Sequence, residues 1–174
     1  IMIIERFKTL AKRNDSLDWI VEGLLTSGEW TYFVGEAAIG KSFLMIQLCD
    51  ALQKGGSFLG MSCKRRNCLY VQVDTGRLEW KHHVMSIAGE SFSWTAYALV
   101  GNFLDSRGEV ETLRQIIWGE YEKDSQVYRI LKGEPYSFIV FDVLNKMSAV
   151  DINTKPGMSH INSTLAYLTK RGEG

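Results

Sequence analysis

The sequence of 174 residues has no long apolar run, little proline and no excess of either charge. Its 20 lysines and arginines balance 20 aspartates and glutamates, which excludes acidic disordered tails and proteins that coat nucleic acid nonspecifically. No apolar stretch approaches the roughly 18 to 20 residues that a membrane-spanning helix needs. A hydrophobic fraction of 45% at this length is typical of one globular domain with its own core. We therefore expect a soluble domain with no membrane partner.

Cysteine is also scarce, and its spacing argues against zinc. Cys49, Cys63 and Cys68 form an odd set, and the interval between the last two lacks the paired spacing of a structural zinc site. Residues 1–6 contain too short an apolar stretch for a signal peptide and no small-residue cleavage site. Reduced thiols and a cytoplasmic location are the expectation.

Hydrophobic periodicity predicts strands that alternate with helices, which is typical of an α/β fold. Right-handed crossovers then imply a parallel sheet with helices on both faces. Because the chain has no internal repeat and no low-complexity linker, we predict a single domain over 1–174, with a short amphipathic helix at 2–13 and a core over 17–174. The predicted strands are 30–34, 68–73, 95–100 and 137–141, and the predicted core helices are 41–54, 77–88, 110–121 (with a possible extension to 131) and 158–168.

One motif carries a specific chemistry. Residues 35–42 read Gly-Glu-Ala-Ala-Ile-Gly-Lys-Ser and match the phosphate-loop pattern G-x-x-x-x-G-K-[ST] in full. They stand between a predicted strand and a predicted helix, so backbone N–H groups and the helix amino terminus can face phosphate oxygens. Lys41 suits the β- and γ-phosphates, and the hydroxyl of Ser42 suits the Mg²⁺ that bridges them. The alternative is a glycine-rich turn followed by a solvated lysine. The predicted nucleotide-binding residues are Gly35, Glu36, Ala37, Ala38, Ile39, Gly40, Lys41, Ser42 and Phe43.

Two aspartates follow predicted strands and could complete the site. Asp142 ends the apolar run 138–141, where a carboxylate could hold phosphate-bound Mg²⁺; the alternative is an ordinary polar residue at a strand end. Asp74 follows the strand 68–73 and would emerge at the same edge of a parallel sheet. It is the candidate base for the attacking water, against the alternative of an aspartate that opens the turn 74–76. The predicted catalytic residues are Lys41, Asp74 and Asp142, and the predicted metal ligands are Ser42 and Asp142.

With these residues in place, the sequence resembles the RecA-like P-loop ATPases, and among them the branch of RepA- and DnaB-type replicative helicases. The resemblance covers about residues 17–171, and its phosphate loop is specific to P-loop NTPases in general. It implies Mg²⁺-dependent ATP binding and hydrolysis by a ring-forming homo-oligomer, such as a hexamer, that acts on single-stranded DNA in DNA replication. Two other functions stay open, an ATP-binding regulatory switch with little turnover and a small-molecule kinase on the same loop.

The sequence departs from this family in two ways. The strand matching 68–73 usually ends in a glutamate, and Asp74 is one methylene shorter, which puts the rate of hydrolysis in doubt. The family also inserts a further strand between the first and fourth strands, and that strand would begin after residue 174. The expected strand order is third, second, fourth, gap, first. We therefore expect a fragment of a longer chain with a sheet incomplete at its carboxyl terminus, or a direct closure of the first strand on the fourth.

Overall fold

The structure is a computed structural model, and it describes residues 16–73, 75–92, 95–97, 102–120 and 135–169. Its strands are β1 (Trp19–Val21), β2 (Leu25–Thr26), β3 (Ser57–Phe58), β4 (Met61–Ser62), β5 (Cys68–Gln72), β6 (Thr95–Tyr97) and β7 (Phe138–Asp142). Its helices are α1 (Lys41–Lys54), α2 (Arg77–Ile87), α3 (Arg107–Trp118) and α4 (Lys155–Thr169). Three 3-10 turns accompany them, Gly89–Ser91, Phe103–Asp105 and Leu144–Lys146.

In the described part of the chain, the central sheet contains three parallel strands in the order β6-β5-β7. The register between β5 and β7 runs from Cys68 opposite Phe138 to Gln72 opposite Asp142. The predicted order of the second, third and fourth strands is therefore confirmed. Because all three strands run the same way, their carboxyl ends meet at one edge of the sheet, where functional groups of α/β proteins commonly gather.

Both faces of this sheet are covered, as predicted for an α/β fold. Cys68 and Tyr70 of β5 pack into one core cluster with the apolar side of α1, and the alternate residues Leu69 and Val71 pack into a second cluster with α3 and α4. A strand buried on both faces is apolar throughout rather than alternating, which explains why the run 68–71 carries no charged residue.

The predicted first strand over 30–34 is wrong. This segment is irregular and pairs with no described strand, and its side chains are open to solvent, with Trp30 43% and Val34 93% exposed. The hydroxyl of Tyr32 instead donates a hydrogen bond to Oδ1 of Asn162 in α4, at 2.5 Å. Strand propensity alone does not hold a strand, because its backbone groups need a neighbouring strand, and the outer edge of β7 has none among the described residues. Among the described residues, the parallel sheet is thus small, and the larger RecA-like sheet is not shown.

Two short antiparallel hairpins, β1-β2 and β3-β4, were not predicted. A bridge between Val21 and Cys63 joins them, and the N–H of Lys64 donates to the carbonyl of Ile20. Strands of two or three residues are too short for a period of two to appear in the sequence. Apolar residues of both hairpins pack into the same core cluster as α1.

Helix α4 begins at Lys155, three residues before the predicted start. Pro156 lies in its first turn, where a missing N–H breaks no helical hydrogen bond. Gly157 is tightly packed, because a Cβ at this position would lie 2.0 Å from the carbonyl oxygen of Asp151. The turn before the helix therefore requires glycine here.

Asp105 connects the turn before α3 to the segment that follows β7. Its carboxylate accepts hydrogen bonds from the hydroxyl of Ser148 at 2.5 Å and from the N–H of Ala149 at 2.7 Å, and it lies 3.1 Å from Nε2 of His160. Burial alone would raise the pKa of Asp105, but these hydrogen bonds outweigh burial and lower it. The network holds residues 148–149, in the segment between β7 and α4, against the turn before α3.

Several predictions lie outside the described residues, namely the helix at 2–13, the extension beyond 121, residues 98–100 and Asp74. Cys49, Cys63 and Cys68 are buried free thiols. Within the described part of the chain, no helix has the length and hydropathy needed to cross a membrane.

Candidate functional site

The loop of residues 35–42 turns sharply into α1. Gly40 precedes the helix at φ 93° and ψ 16°, and Ala38 has φ 62°, so two residues of the loop adopt the left-handed conformation. Such positions turn successive N–H groups toward one side, which is how backbone loops cradle anions. The first N–H groups of α1 have no partner within the helix and add to the same positive end.

The ammonium of Lys41 lies over this loop. Its Nζ donates to the carbonyl oxygens of Gly35 at 2.8 Å and Glu36 at 2.5 Å. The side chain therefore closes the loop that carries it and holds a positive charge beside the left-handed residues. Phosphate oxygens that enter the loop would meet this charge together with the N–H groups, an arrangement suited to the β- and γ-phosphates.

An open cavity of about 360 Å³ adjoins the loop, and its size falls in the range of small-molecule sites. Ile39 and Phe43 line it from the loop and from α1, and Phe33 and Val34 line it from the segment before the loop. The ring of Phe43 also packs on His83 of α2, with 4.7 Å between ring centroids. Of the predicted nucleotide-binding residues 35–43, four line this partly apolar cavity: Ile39, Gly40, Lys41 and Phe43.

The predicted metal ligands come together on one tyrosine. The hydroxyl of Tyr70, in β5, donates to Oδ2 of Asp142 at the end of β7, with 2.6 Å between the oxygens. The side chain of Ser42, the second residue of α1, lies close enough to the same hydroxyl to lower its pKa. Because parallel strands place their carboxyl ends together, β7 delivers Asp142 beside the amino terminus of α1.

Tyr70 is fully buried and acts as a donor at any ordinary pH. Burial raises the pKa of its phenol well above the usual value, and the charge of Asp142 and the hydrogen bond to it raise that pKa further. The ring packs against Trp80 of α2, with 4.5 Å between centroids, and more distantly against Phe92. Reasoning from the sequence missed this residue, because a tyrosine inside an apolar strand looks like part of the core.

Gln72 is the second polar residue that the sequence did not single out. It is 2% exposed, stands opposite Asp142 in the register, and its Nε2 has no hydrogen-bonding partner within the described ranges. A buried amide in an otherwise apolar strand is itself a signal that could have been noticed. Asp74, the predicted base, follows two residues later and lies outside the described residues.

The oxygen atoms present fit a magnesium ion carried by a nucleotide. Mg²⁺ prefers hard oxygen ligands and is usually held by one or two protein groups together with phosphates. Ser42 and Asp142 supply a hydroxyl and a carboxylate beside the hydroxyl of Tyr70. In the described parts of the chain, no group of three or more His, Cys, Asp or Glu side chains could hold a metal unaided. The site therefore suits a metal that arrives with its substrate.

The basic run 64–66 was open to a role in nucleic-acid binding. Lys64 and Arg66 both form ion pairs with Asp18 beside β1, and the hydrogen bond from Lys64 lowers the pKa of that carboxylate. The partial neutralisation of this run favours an ordinary surface turn.

A family model described as an AAA domain matches residues 4–172, nearly the whole chain. The chain belongs to the AAA domain family. Membership implies the P-loop α/β fold, binding of ATP and ATPase activity in general, in agreement with the phosphate loop that begins α1. No curated protein and no solved structure matches the chain.

Proposed function

We propose that this AAA domain binds and hydrolyses ATP with Mg²⁺ as a RecA-like, helicase-type motor on single-stranded DNA. The observation that carries the ATPase part is the convergence of Ser42 and Asp142 on Tyr70, beside a phosphate loop closed by Lys41. The motor part rests on the resemblance to the RepA- and DnaB-type helicases, which also supports a ring of identical subunits and a role in DNA replication.

In this proposal the loop residues 35–43 bind the phosphates through their N–H groups, and Lys41 supplies the charge between the β- and γ-phosphates. Ser42 and Asp142 would hold Mg²⁺, which would supply positive charge beside the phosphate oxygens. Asp74 is the candidate group that orients the attacking water and accepts its proton. The water oxygen bonds to the γ-phosphorus, the bond to the bridging oxygen breaks, and ADP leaves with that oxygen.

ATP turnover, measured with and without single-stranded DNA, tests the proposal. Lys41→Ala should lose nucleotide binding and all turnover, because the loop loses its cation. Lys54→Ala is the matched control, since Lys54 ends the same helix and pairs with Asp50 at the surface. It should behave as the unaltered chain does.

The outcomes separate the candidate functions. Turnover that rises with single-stranded DNA and disappears in Lys41→Ala supports the motor. Tight ATP binding without turnover under any condition contradicts it and favours a regulatory switch, for which the shorter Asp74 is the pertinent feature. Phosphate transfer to an added small molecule in place of water would favour a kinase. Mass photometry with and without Mg²⁺ and ATP tests the ring, and a monomer under all conditions contradicts it.

A further inference from the structure

The hydrogen bond between Tyr70 and Asp142 has a direction. A phenol has one proton, and the hydroxyl of Tyr70 donates it to Oδ2 of Asp142. The side chain of Ser42 lies near the same hydroxyl and lowers its pKa. Since the phenol proton is used on the carboxylate, the phenol oxygen can act toward other groups only as an acceptor.

This direction leaves Oδ1 of Asp142 available to a metal ion, because the bond to Tyr70 uses Oδ2 alone. A serine hydroxyl that binds a cation turns its proton away from the ion. The phenol oxygen near Ser42 is an acceptor for that proton, because its own proton is used on the carboxylate.

Tyr70 is well placed to impose this geometry. Its backbone lies in the middle strand of the sheet, paired with β6 on one side and β7 on the other. Its ring is fully buried, and Trp80 and Phe92 pack against it. A side chain enclosed in this way keeps one rotamer, so its hydroxyl is a fixed point between α1 and β7.

We propose that Tyr70, whose hydroxyl orients the carboxylate of Asp142 beside the side chain of Ser42, is a positioning residue for Mg²⁺. This inference rests on the proposed function, because it presumes that the site takes a magnesium-bound nucleotide. Hydrogen-bonding partners of metal ligands fix ligand orientation, and their removal typically weakens metal binding about 10- to 100-fold.

The variant Tyr70→Phe tests this role, because it removes the hydroxyl and keeps the buried ring. Binding of a fluorescent ADP analogue would be measured over a range of Mg²⁺ concentrations and in EDTA. We expect the Mg²⁺ concentration at half-maximal effect to rise about tenfold or more, with the affinity in EDTA unchanged. The matched control is Tyr167→Phe, since the hydroxyl of Tyr167 also donates to a carboxylate, that of Glu111, at 2.5 Å on the surface. Its Mg²⁺ dependence should equal that of the unaltered chain.

A purely structural role predicts a different pattern. Equal weakening in Mg²⁺ and in EDTA, or an unchanged Mg²⁺ dependence, overturns the proposal. Circular dichroism melts accompany the titrations. A Tyr70→Phe chain that fails to fold would make the hydroxyl a structural group, which also overturns the proposal.

A double variant tests the bond between the two residues. In the background of Asp142→Asn, Tyr70→Phe should weaken Mg²⁺-dependent binding little further, because the two residues act through one bond. Full additivity of the two losses contradicts the inference. If the unaltered chain binds no nucleotide, the proposed function fails. Normal nucleotide binding with an unaffected Tyr70→Phe defeats this inference alone.

Discussion

Gly40 occupies the left-handed conformation at φ 93°, directly before Lys41 begins α1. An ideal Cβ built on Gly40 has no atom within 4 Å, so alanine would meet no steric obstacle there. The whole effect of Gly40→Ala must come from the conformational preference of the backbone. This separation makes the substitution a direct test of whether the shape of the phosphate loop matters for binding.

The expected change in the free energy of unfolding for Gly40→Ala follows from two opposing contributions. A left-handed conformation costs a residue with a Cβ about 1–2 kcal/mol. The smaller conformational entropy of alanine in the unfolded chain returns about 0.4–1 kcal/mol. We expect a net loss of roughly 1 kcal/mol in the free energy of unfolding. If the substituted alanine leaves the left-handed region in the free protein, nucleotide binding must restore it, which weakens affinity by about 5- to 30-fold.

Gly28→Ala is the matched control. Gly28 also has a positive φ, of 81°, and an ideal Cβ there also has no atom within 4 Å, but it lies in the turn after β2 and outside the loop. Urea unfolding and binding of a fluorescent ADP analogue would be measured for both variants. Both should lose similar stability, and only Gly40→Ala should lose affinity. Equal affinities for the two variants would refute the reasoning, because loop shape would then not contribute to binding.

Three further changes probe the fold around the site. Gln72→Met removes a buried amide without a described hydrogen-bonding partner, so the free energy of unfolding in urea should rise by about 1 kcal/mol. A fall in that free energy would mean that the amide is hydrogen-bonded in solution. Gly157→Ala places a Cβ 2.0 Å from the carbonyl oxygen of Asp151 and should lower the free energy of unfolding by about 2–3 kcal/mol. Its control is Gly108→Ala in α3, which should lose no stability because a Cβ there meets open space. Asp105 has a lower pKa in the folded state than the ordinary aspartate value of 3.8. Its contribution to the free energy of unfolding is therefore fully present above pH 3.8 and is lost as the pH falls through the pKa of the folded state. Asp105→Asn should therefore be less stable at neutral pH and show a smaller decline in stability in acid titrations; an identical decline would contradict the network.

Much of the fold was predictable because its helices and buried strands have clear periods. The helices near 41–54 and 77–88, the two strands β5 and β7, and the strand order β6-β5-β7 are all confirmed. The segment 30–34 shows where this reasoning ends. Its aromatic and β-branched residues indicate a strand, but a strand also requires a neighbour, and no local pattern reports whether one is present.

The candidate site, like the fold, was predictable from the sequence only in part. The sequence by itself determined the phosphate loop, because glycines at the two ends of 35–40 and a lysine and hydroxyl at the start of a helix act through local backbone geometry. It also indicated Asp142 as an acid at a strand end, a position that the register bears out, although its role stays a prediction. Only the tertiary structure decided that Tyr70 donates a hydrogen bond to Asp142 and lies beside Ser42. These residues are far apart in the chain, and they meet because parallel pairing of β5 with β7 and packing of α1 on the sheet bring their side chains to one edge.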